Sequence, residues 1–199
     1  ASGRVFLRVL RDALFGGRGA SDALLPLMPL ADLLPKPAAA WLVTSGARVC
    51  TRARVQTVVA DRQAGRRAWL VDGESFDSVI LACSSIEAVR LTAQSHPDWS
   101  QTASRITYQS IVTVYAQHPQ AQLAFAMAAL PDGIEHPAQF VFDHGMLTGR
   151  QGLLAFVVSG ANQWLVKGLQ ATIDATLAQA RQALPAAPWV GQLKVVGAV

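Results

Sequence analysis

Cysteine is scarce in this sequence, and nothing surrounds it that would put it to use. Cys50 and Cys83 are the only two. No CxxC pairs them and no histidine stands at ligand spacing, so a zinc site has little support. Each sits in a strand-like run, which predicts burial as a reduced thiol and fits cytoplasmic chemistry. The four histidines, His96, His118, His136 and His144, are dispersed, with no pair at i, i+4. GxSxG, HExxH, P-loop and paired helical carboxylates are all missing. Taken residue by residue, the chain offers no complete active site, and no metal is expected.

Long apolar runs are missing as well. A membrane-spanning helix needs roughly 18 apolar residues in succession, and Pro26, Pro29, Pro35, Pro37, Gly46 and Arg48 interrupt the richest region. Charge is sparse, at 15% against 51% hydrophobic residues in 199, the balance of a folded domain rather than a disordered one. No internal repeat of about 20–50 residues is present.

What charge there is lies unevenly. Residues 1–67 carry 11 Lys or Arg against 4 Asp, a net +7, whereas residues 68–199 carry 6 against 9, a net −3. A basic half suits nucleic acid, anionic lipid or a phosphate-bearing cofactor. Arg48, Arg52 and Arg54 would share one strand face, but no aromatic platform is interleaved for base stacking, so no nucleic-acid partner is expected. Ala1, Ser2 and Gly3 read as a processing remnant without a leader pattern, and LKVVGAV stops without a closing turn. Both ends look cut, as in a piece of a longer polypeptide.

Val5, Phe6, Val9, Leu10, Ala13 and Leu14 form one apolar helix face, with Arg4, Arg8, Arg11 and Asp12 opposite. The glycines of FGGRGASD follow a helix rather than a strand, so Gly16 and Gly17 read as its left-handed stop and not as a phosphate loop. The next stretch, ASDALLPLMPLADLLPKP, is too rich in proline for one helix and carries a heavy apolar load. It either packs on its own domain or meets an apolar substrate, a lipid surface or a missing domain. PAAAWLV suits a short helix with Pro37 at its start and Gly46 beyond its end.

Then the period changes to that of strands: ARVCTRARVQTVVAD, RRAWLVDGESF with Asp72-Gly73 as a hairpin turn, and DSVILACSS, whose VILAC run suggests a strand covered on both faces. Ser84 to Glu87 has the pattern of a capping box. Here alone strand, small-residue turn and helix start occur in the order an anion or ribose site needs. From Arg105 four more strands, ITYQSIVTVYAQH, LAFAMAAL, AQFVFDHGML and GLLAFVVSGA, imply an antiparallel sheet of neighbouring hairpins. His144 in FDHG stands at a strand end beside Asp143, facing either a cavity or solvent. A long amphipathic helix from Asn162 to Pro185 follows, and LKVVGAV reads as a last strand. The fold class expected is α+β, with mixed and antiparallel sheets and packed helices.

Several of these stretches, in this order, resemble the interior of the bacterial squalene-associated FAD-dependent desaturases, or hydroxysqualene dehydroxylases. These are similar to the wider amine oxidase and phytoene desaturase group of flavoproteins. The stretches are RVFLRVLRDALFGGRGASDALLPLMPLADLLP, WLVTSGARVCTRARV, FDSVILACSS, YQSIVTVY and QFVFDHGML. The resemblance implies a substrate domain plus part of an FAD-binding domain: 1–45 as a helical arm of the substrate domain, 46–95 as the β-rich flavin-side portion, and 96–199 as substrate sheet and long helix. It implies cofactor contacts at Arg54, Val55, Cys83 and Ser84, the last two standing where family members often carry proline. It implies substrate contacts at Leu25, Leu27, Leu30, Phe140 and Phe142, and names no catalytic residue.

The parent activity so implied is FAD-dependent oxidation or reduction of a long isoprenoid such as hydroxysqualene, squalene or phytoene, in hopanoid or carotenoid-type synthesis. The dinucleotide fingerprint of the family would lie upstream of these residues, so the chain by itself is expected to be inactive and to hold FAD poorly. A cytoplasmic location, with a peripheral contact on the inner membrane, goes with that reading. Two rivals stay open: a non-catalytic domain that binds an apolar ligand, and a protein-interaction domain.

Overall fold

The computed structural model describes residues 2–61, 68–131 and 133–199. The fold is α+β. Contacts divide the chain into two compact units, Ala1–Ala40 with Ile111–Val199, and Trp41–Ser110.

The larger unit is built on a five-stranded sheet. Its strands are β4 (Ile111–Gln117), β5 (Met127–Ala129), β6 (Phe140–Asp143), β7 (Leu153–Ser159) and β8 (Lys194–Ala198), in the order β5-β6-β7-β4-β8. All four pairings are antiparallel. β5, β6 and β7 are neighbouring hairpins, as the turn residues predict. β4 instead pairs with β7 and β8, so the chain crosses from one side of the sheet to the other after Gln117.

Period-2 alternation sorts the side chains onto two faces. Val112, Val114, Ala116, Val141, Leu154, Phe156 and Val158 point to a buried side. There they meet the helix α8 (Leu169–Ala183) through Ile173, Leu177, Ala180 and Ala183. The buried hydroxyls of α8 remain satisfied: Thr172 Oγ1 donates to the Gly168 carbonyl at 3.1 Å and Thr176 Oγ1 to the Thr172 carbonyl at 2.7 Å.

The long helix expected from Asn162 is broken. A shorter helix, α7 (Asn162–Lys167), ends at Gly168, whose φ of +99° and ψ of 152° no helix contains, and α8 starts afresh after it. Only glycine adopts that conformation without strain, so the break is written at one residue inside an otherwise helical pattern. A further short helix, α6 (His144–Thr148), follows β6 directly and is capped by Asp143, whose Oδ1 accepts from the Gly145 and Met146 amides.

Residues 1–40 form the arm of this unit. α1 (Gly3–Phe15) stops at Gly16, which against expectation stays right-handed with φ of −74° and ψ of 0°; of the two glycines only Gly17 has positive φ, +106°. An extended stretch leads to α2 (Leu30–Leu33), and α3 (Pro35–Thr44) runs across the division between the units. None of the three helices has a buried residue. Proline at 26 and 29 keeps the stretch between α1 and α2 extended, as its sequence requires.

The smaller unit carries a meander of β1 (Val58–Asp61), β2 (Ala68–Val71) and β3 (Glu74–Phe76). Asp72 and Gly73, with φ of 48° and 88°, make the two-residue turn between β2 and β3 that their pairing predicts. Asp72 is further held by its carboxylate, which accepts from the Gln56 and Thr57 amides. α4 (Ser85–Thr92) and α5 (Pro97–Ala103) pack against each other, so α5 belongs with this unit.

Three expectations fail here. Residues 47–57 include no strand and Arg52 has φ of 59°, so the three arginines do not share a strand face. VILAC forms no strand either, and Ile80 is 90% exposed. Cys50 and Cys83 are exposed rather than buried, because the runs that hold them are not covered by a neighbouring strand among the described residues.

Candidate functional site

The start of α4 gathers most of the polar chemistry of the smaller unit. Ser84 takes the extended conformation of a cap, and its Oγ accepts from the Glu87 amide at 3.4 Å. Glu87 turns both carboxylate oxygens to arginines. Arg54 Nη2 donates to Oε1 at 2.6 Å and Arg90 Nε to Oε2 at 3.0 Å. Arg90 also reaches the main chain of the preceding segment, donating from Nη2 to the Val55 carbonyl at 2.7 Å and from Nη1 to the Gln56 carbonyl at 2.9 Å. Hydrogen bonding from Arg90, opposed by desolvation and seconded by Arg54, holds the Glu87 carboxyl below the usual carboxylate range.

Three of the four expected cofactor residues are thereby joined through one helix turn: Arg54 by its side chain, Val55 by its carbonyl and Ser84 as the cap. Cys83 is the residue just before that cap and lines the adjoining cavity. This cavity, of about 480 Å³, is walled by Leu81, Ala88, Ala103 and Ile106, with Cys83, Ser85, Thr92, His96 and Trp99 among them. Ser85 of this wall is held by Tyr108, whose Oη accepts from the Ser85 amide at 2.9 Å and lies 2.9 Å from Ser85 Oγ. His96 is stacked on Trp69, ring centres 6.1 Å apart.

A flavin dinucleotide brings a pyrophosphate, which needs unsatisfied amides at a helix start. Three of the first four amides of α4 are already engaged. The Ser85 amide goes to Tyr108, the Glu87 amide to Ser84 Oγ and the Ala88 amide to the Ser84 carbonyl. The Arg54 and Arg90 guanidiniums are both engaged with Glu87. These residues do not fit a pyrophosphate; what they offer a ring is an apolar wall.

A second candidate surface lies on the larger unit, on the open side of its sheet. Phe140 and Phe142 alternate with the buried Val141 and Asp143, so both half-buried phenyl rings fall on the face away from α8. Across the ladder Phe142 is opposite Ala155, and Ala155 is opposite Tyr115, which sets an aromatic at either side of a small residue. Val157 and Thr113 continue the same face. His144, first residue of α6, brings its ring to within 6.0 Å of Tyr115. Burial, reinforced by Arg150 and opposed by Asp143, lowers its pKa below the ordinary imidazole value of 6.5.

Of the expected substrate leucines, Leu25 is half-buried, whereas Leu27 and Leu30 are 77% and 69% exposed on the arm. The arm leucines are not part of the core cluster beneath the sheet. Sequence reasoning missed Arg90, Tyr108, Trp99 and Tyr115. Only Tyr115 left a usable signal: in IVTVYAQ it falls in step with Ile111 and Thr113, opposite Val112 and Val114. Among the described residues, no three of His, Cys, Asp and Glu converge as a metal site would require, and no helix is long and apolar enough to cross a membrane.

No protein-family model matches the chain, and no curated protein matches it. Solved structures do. A crystal structure named "putative protoporphyrinogen oxidase", from Exiguobacterium sp. 255-15, is similar over 73% of this chain, with TM-score 0.50 and 16% identity. An oxidoreductase from Methanosarcina mazei is similar over 81%, with TM-score 0.57 and 11% identity. The chain shares their fold over those stretches, and it spans 32% and 39% of their respective lengths.

Proposed function

We propose that these residues form part of an FAD-dependent oxidoreductase that acts on a long isoprenoid of the hydroxysqualene, squalene or phytoene type, in hopanoid or carotenoid-type synthesis. The observation that carries the reading is the open sheet face, where Phe140, Phe142 and Tyr115 stand half-buried around Ala155 in a fold shared with two longer chains, one named an oxidoreductase and the other a "putative protoporphyrinogen oxidase". A polyene or squalene-like chain has no polar group along most of its length. Its recognition therefore rests on apolar contact area and on exclusion of water, which flat aromatic and small side chains on a sheet supply at low entropic cost.

We infer a division of labour between the two units. The unit of residues 41–110, with Arg54, Val55, Cys83 and Ser84 around the start of α4, would lie along one side of the cofactor. The sheet of the other unit, joined by Leu25, Leu27 and Leu30 of the arm, would line the substrate path. The hydride chemistry would be the flavin's. Because three of the first four amides of α4 are engaged from within, the pyrophosphate would be held by polypeptide outside these residues, and this chain by itself would not retain FAD.

Two measurements test the proposal. Gel filtration of the purified chain after mixing with FAD is expected to return protein without a flavin absorbance band; co-elution would refute the division of labour. Flavin extraction from the product of the complete reading frame, with turnover assayed on hydroxysqualene, tests the activity. Phe142→Asp is expected to raise KM at least tenfold by placing a charge against an apolar chain. A full-length product without flavin, or one indifferent to Phe142→Asp, would remove the reading.

A further inference from the structure

The first helix presents an unpartnered surface whose chemistry names its partner. Wound at 3.6 residues per turn, α1 places Val5, Phe6, Leu7, Val9, Leu10, Ala13 and Leu14 on one continuous side and Arg4, Arg8, Arg11 and Asp12 on the other. The apolar side is open: Phe6 is 59%, Leu7 67% and Leu14 66% exposed, and no residue of the helix is buried. Scattered apolar side chains on a surface need no explanation, but a whole helix face does.

The charges decide what covers it. An apolar protein groove would take up the leucine side but make no use of the three solvated arginines, of which only Arg8 has a partner on the helix, Asp12 at 3.6 Å. A bilayer surface satisfies both sides at once. Its acyl boundary takes up Phe6, Leu7, Leu10 and Leu14, while phosphodiester groups lie at the level of the arginines, whose long stems let the guanidiniums reach outward from the apolar face. The stretch after the helix adds to the same affinity, since Leu24 and Leu27 are 96% and 77% exposed and only Arg18 and Asp22 are charged between Phe15 and Leu30.

We infer that α1 is an interfacial helix that docks the protein on an anionic phospholipid bilayer, lying in the plane of the surface and not crossing it. Docking needs neither flavin nor isoprenoid, so it stands or falls apart from the oxidoreductase reading.

Flotation of the chain with vesicles of phosphatidylcholine and phosphatidylglycerol, against vesicles of phosphatidylcholine alone, reads the inference directly. Wild type is expected to float with the mixed vesicles, and added salt to weaken that binding. The combined Arg4→Gln, Arg8→Gln and Arg11→Gln variant should bind the mixed vesicles roughly a hundredfold more weakly, since each basic residue near an anionic surface contributes several-fold. Phe6→Asp with Leu10→Asp should abolish flotation on both. Because α1 buries nothing, circular dichroism melting of each variant should match wild type, which separates lost docking from lost folding.

Three results would overturn the inference: equal partitioning into neutral and anionic vesicles, no flotation at all, or flotation indifferent to both sets of substitutions. A concentration-dependent dimer that dissolves on Phe6→Asp with Leu10→Asp, without vesicle binding by wild type, would assign the face to a second copy instead.

Discussion

Gln179 holds Ala138 by both of its main-chain groups. Its Oε1 accepts from the Ala138 amide at 2.8 Å, and its Nε2 donates to the Ala138 carbonyl at 2.7 Å and to the Pro131 carbonyl at 2.8 Å. The side chain is 2% exposed, so the strand-like approach to β6 is tied to α8 by an amide standing in for a missing ladder partner. Gln179→Leu keeps the volume but leaves the two buried main-chain groups of Ala138 without partners. It should cost about 2–4 kcal/mol, because each unsatisfied buried polar group carries its own desolvation penalty. Urea titration followed by tryptophan fluorescence measures it, and a loss well under 1 kcal/mol would contradict the bridging role.

Arg90 does for the smaller unit what Gln179 does for the larger. With Arg90→Leu the Val55 and Gln56 carbonyls lose their donors and Glu87 keeps only Arg54. The expected outcome is local: amide exchange should quicken at residues 54–58 while the global melting midpoint moves little, since these pairs face solvent and are screened. Unchanged exchange there would show that the segment is held by something else.

Asp72 combines a left-handed backbone with two amide bonds, and its pKa is lowered chiefly by the Thr57 amide. A carboxyl whose folded value is depressed stabilises the fold above its unfolded value, and that contribution fades as pH falls through the folded one. Stability should therefore drop below the ordinary value of 3.8 in wild type. Asp72→Ala should be less stable at neutral pH and show a shallower acid dependence, read by thermal melts from neutral to strongly acid buffer.

His144 works in the opposite sense because the depressed group is a cation. Between its lowered folded pKa and the ordinary 6.5, the unfolded chain binds the proton that the folded one refuses. Stability therefore rises with pH across that window and is fully present above it. Melting temperatures of wild type should climb between about pH 5 and 7, the range in which imidazole titrates. His144→Gln should flatten that part of the curve. An identical profile would mean that the ring near Tyr115 is freely solvated.

Local rules were legible wherever they needed no distant partner. The glycine stop after α1, the turn at Asp72-Gly73 and the cap at Ser84 followed from backbone preference and one side-chain bond each. The extended patterns in IVTVYAQ and LLAFVVS announced β4 and β7 as strands. VILAC and TRARV misled for the same reason that they were persuasive. Apolar β-branched runs become strands only when another strand completes their hydrogen bonds, and none does so here among the described residues. The cysteines inherited that error, since their burial had been argued from the same runs.

The candidate site was readable only in outline. Arg54 and Ser84 were expected near a cofactor, but nothing in the spacing of positions 54, 87 and 90 announced that one carboxylate would accept from two arginines and so occupy donors a phosphate would want. Phe140 and Phe142 were placed on one face by period alone. That Ala155 and Tyr115 would lie beside Phe142 depended on β7 pairing with both β6 and β4.

By itself, the sequence determined the turn at Asp72-Gly73, the cap at Ser84, the alternation of Phe140 and Phe142 with Val141 and Asp143 and the amphipathic split of α1. These arise from steric preference and periodicity within a few residues. Only the tertiary structure decided strand order, which apolar faces are covered, and which donors remain available at the start of α4. Such outcomes depend on pairings between residues far apart in the chain, where loop closure and competition among partners choose between arrangements that are locally equivalent.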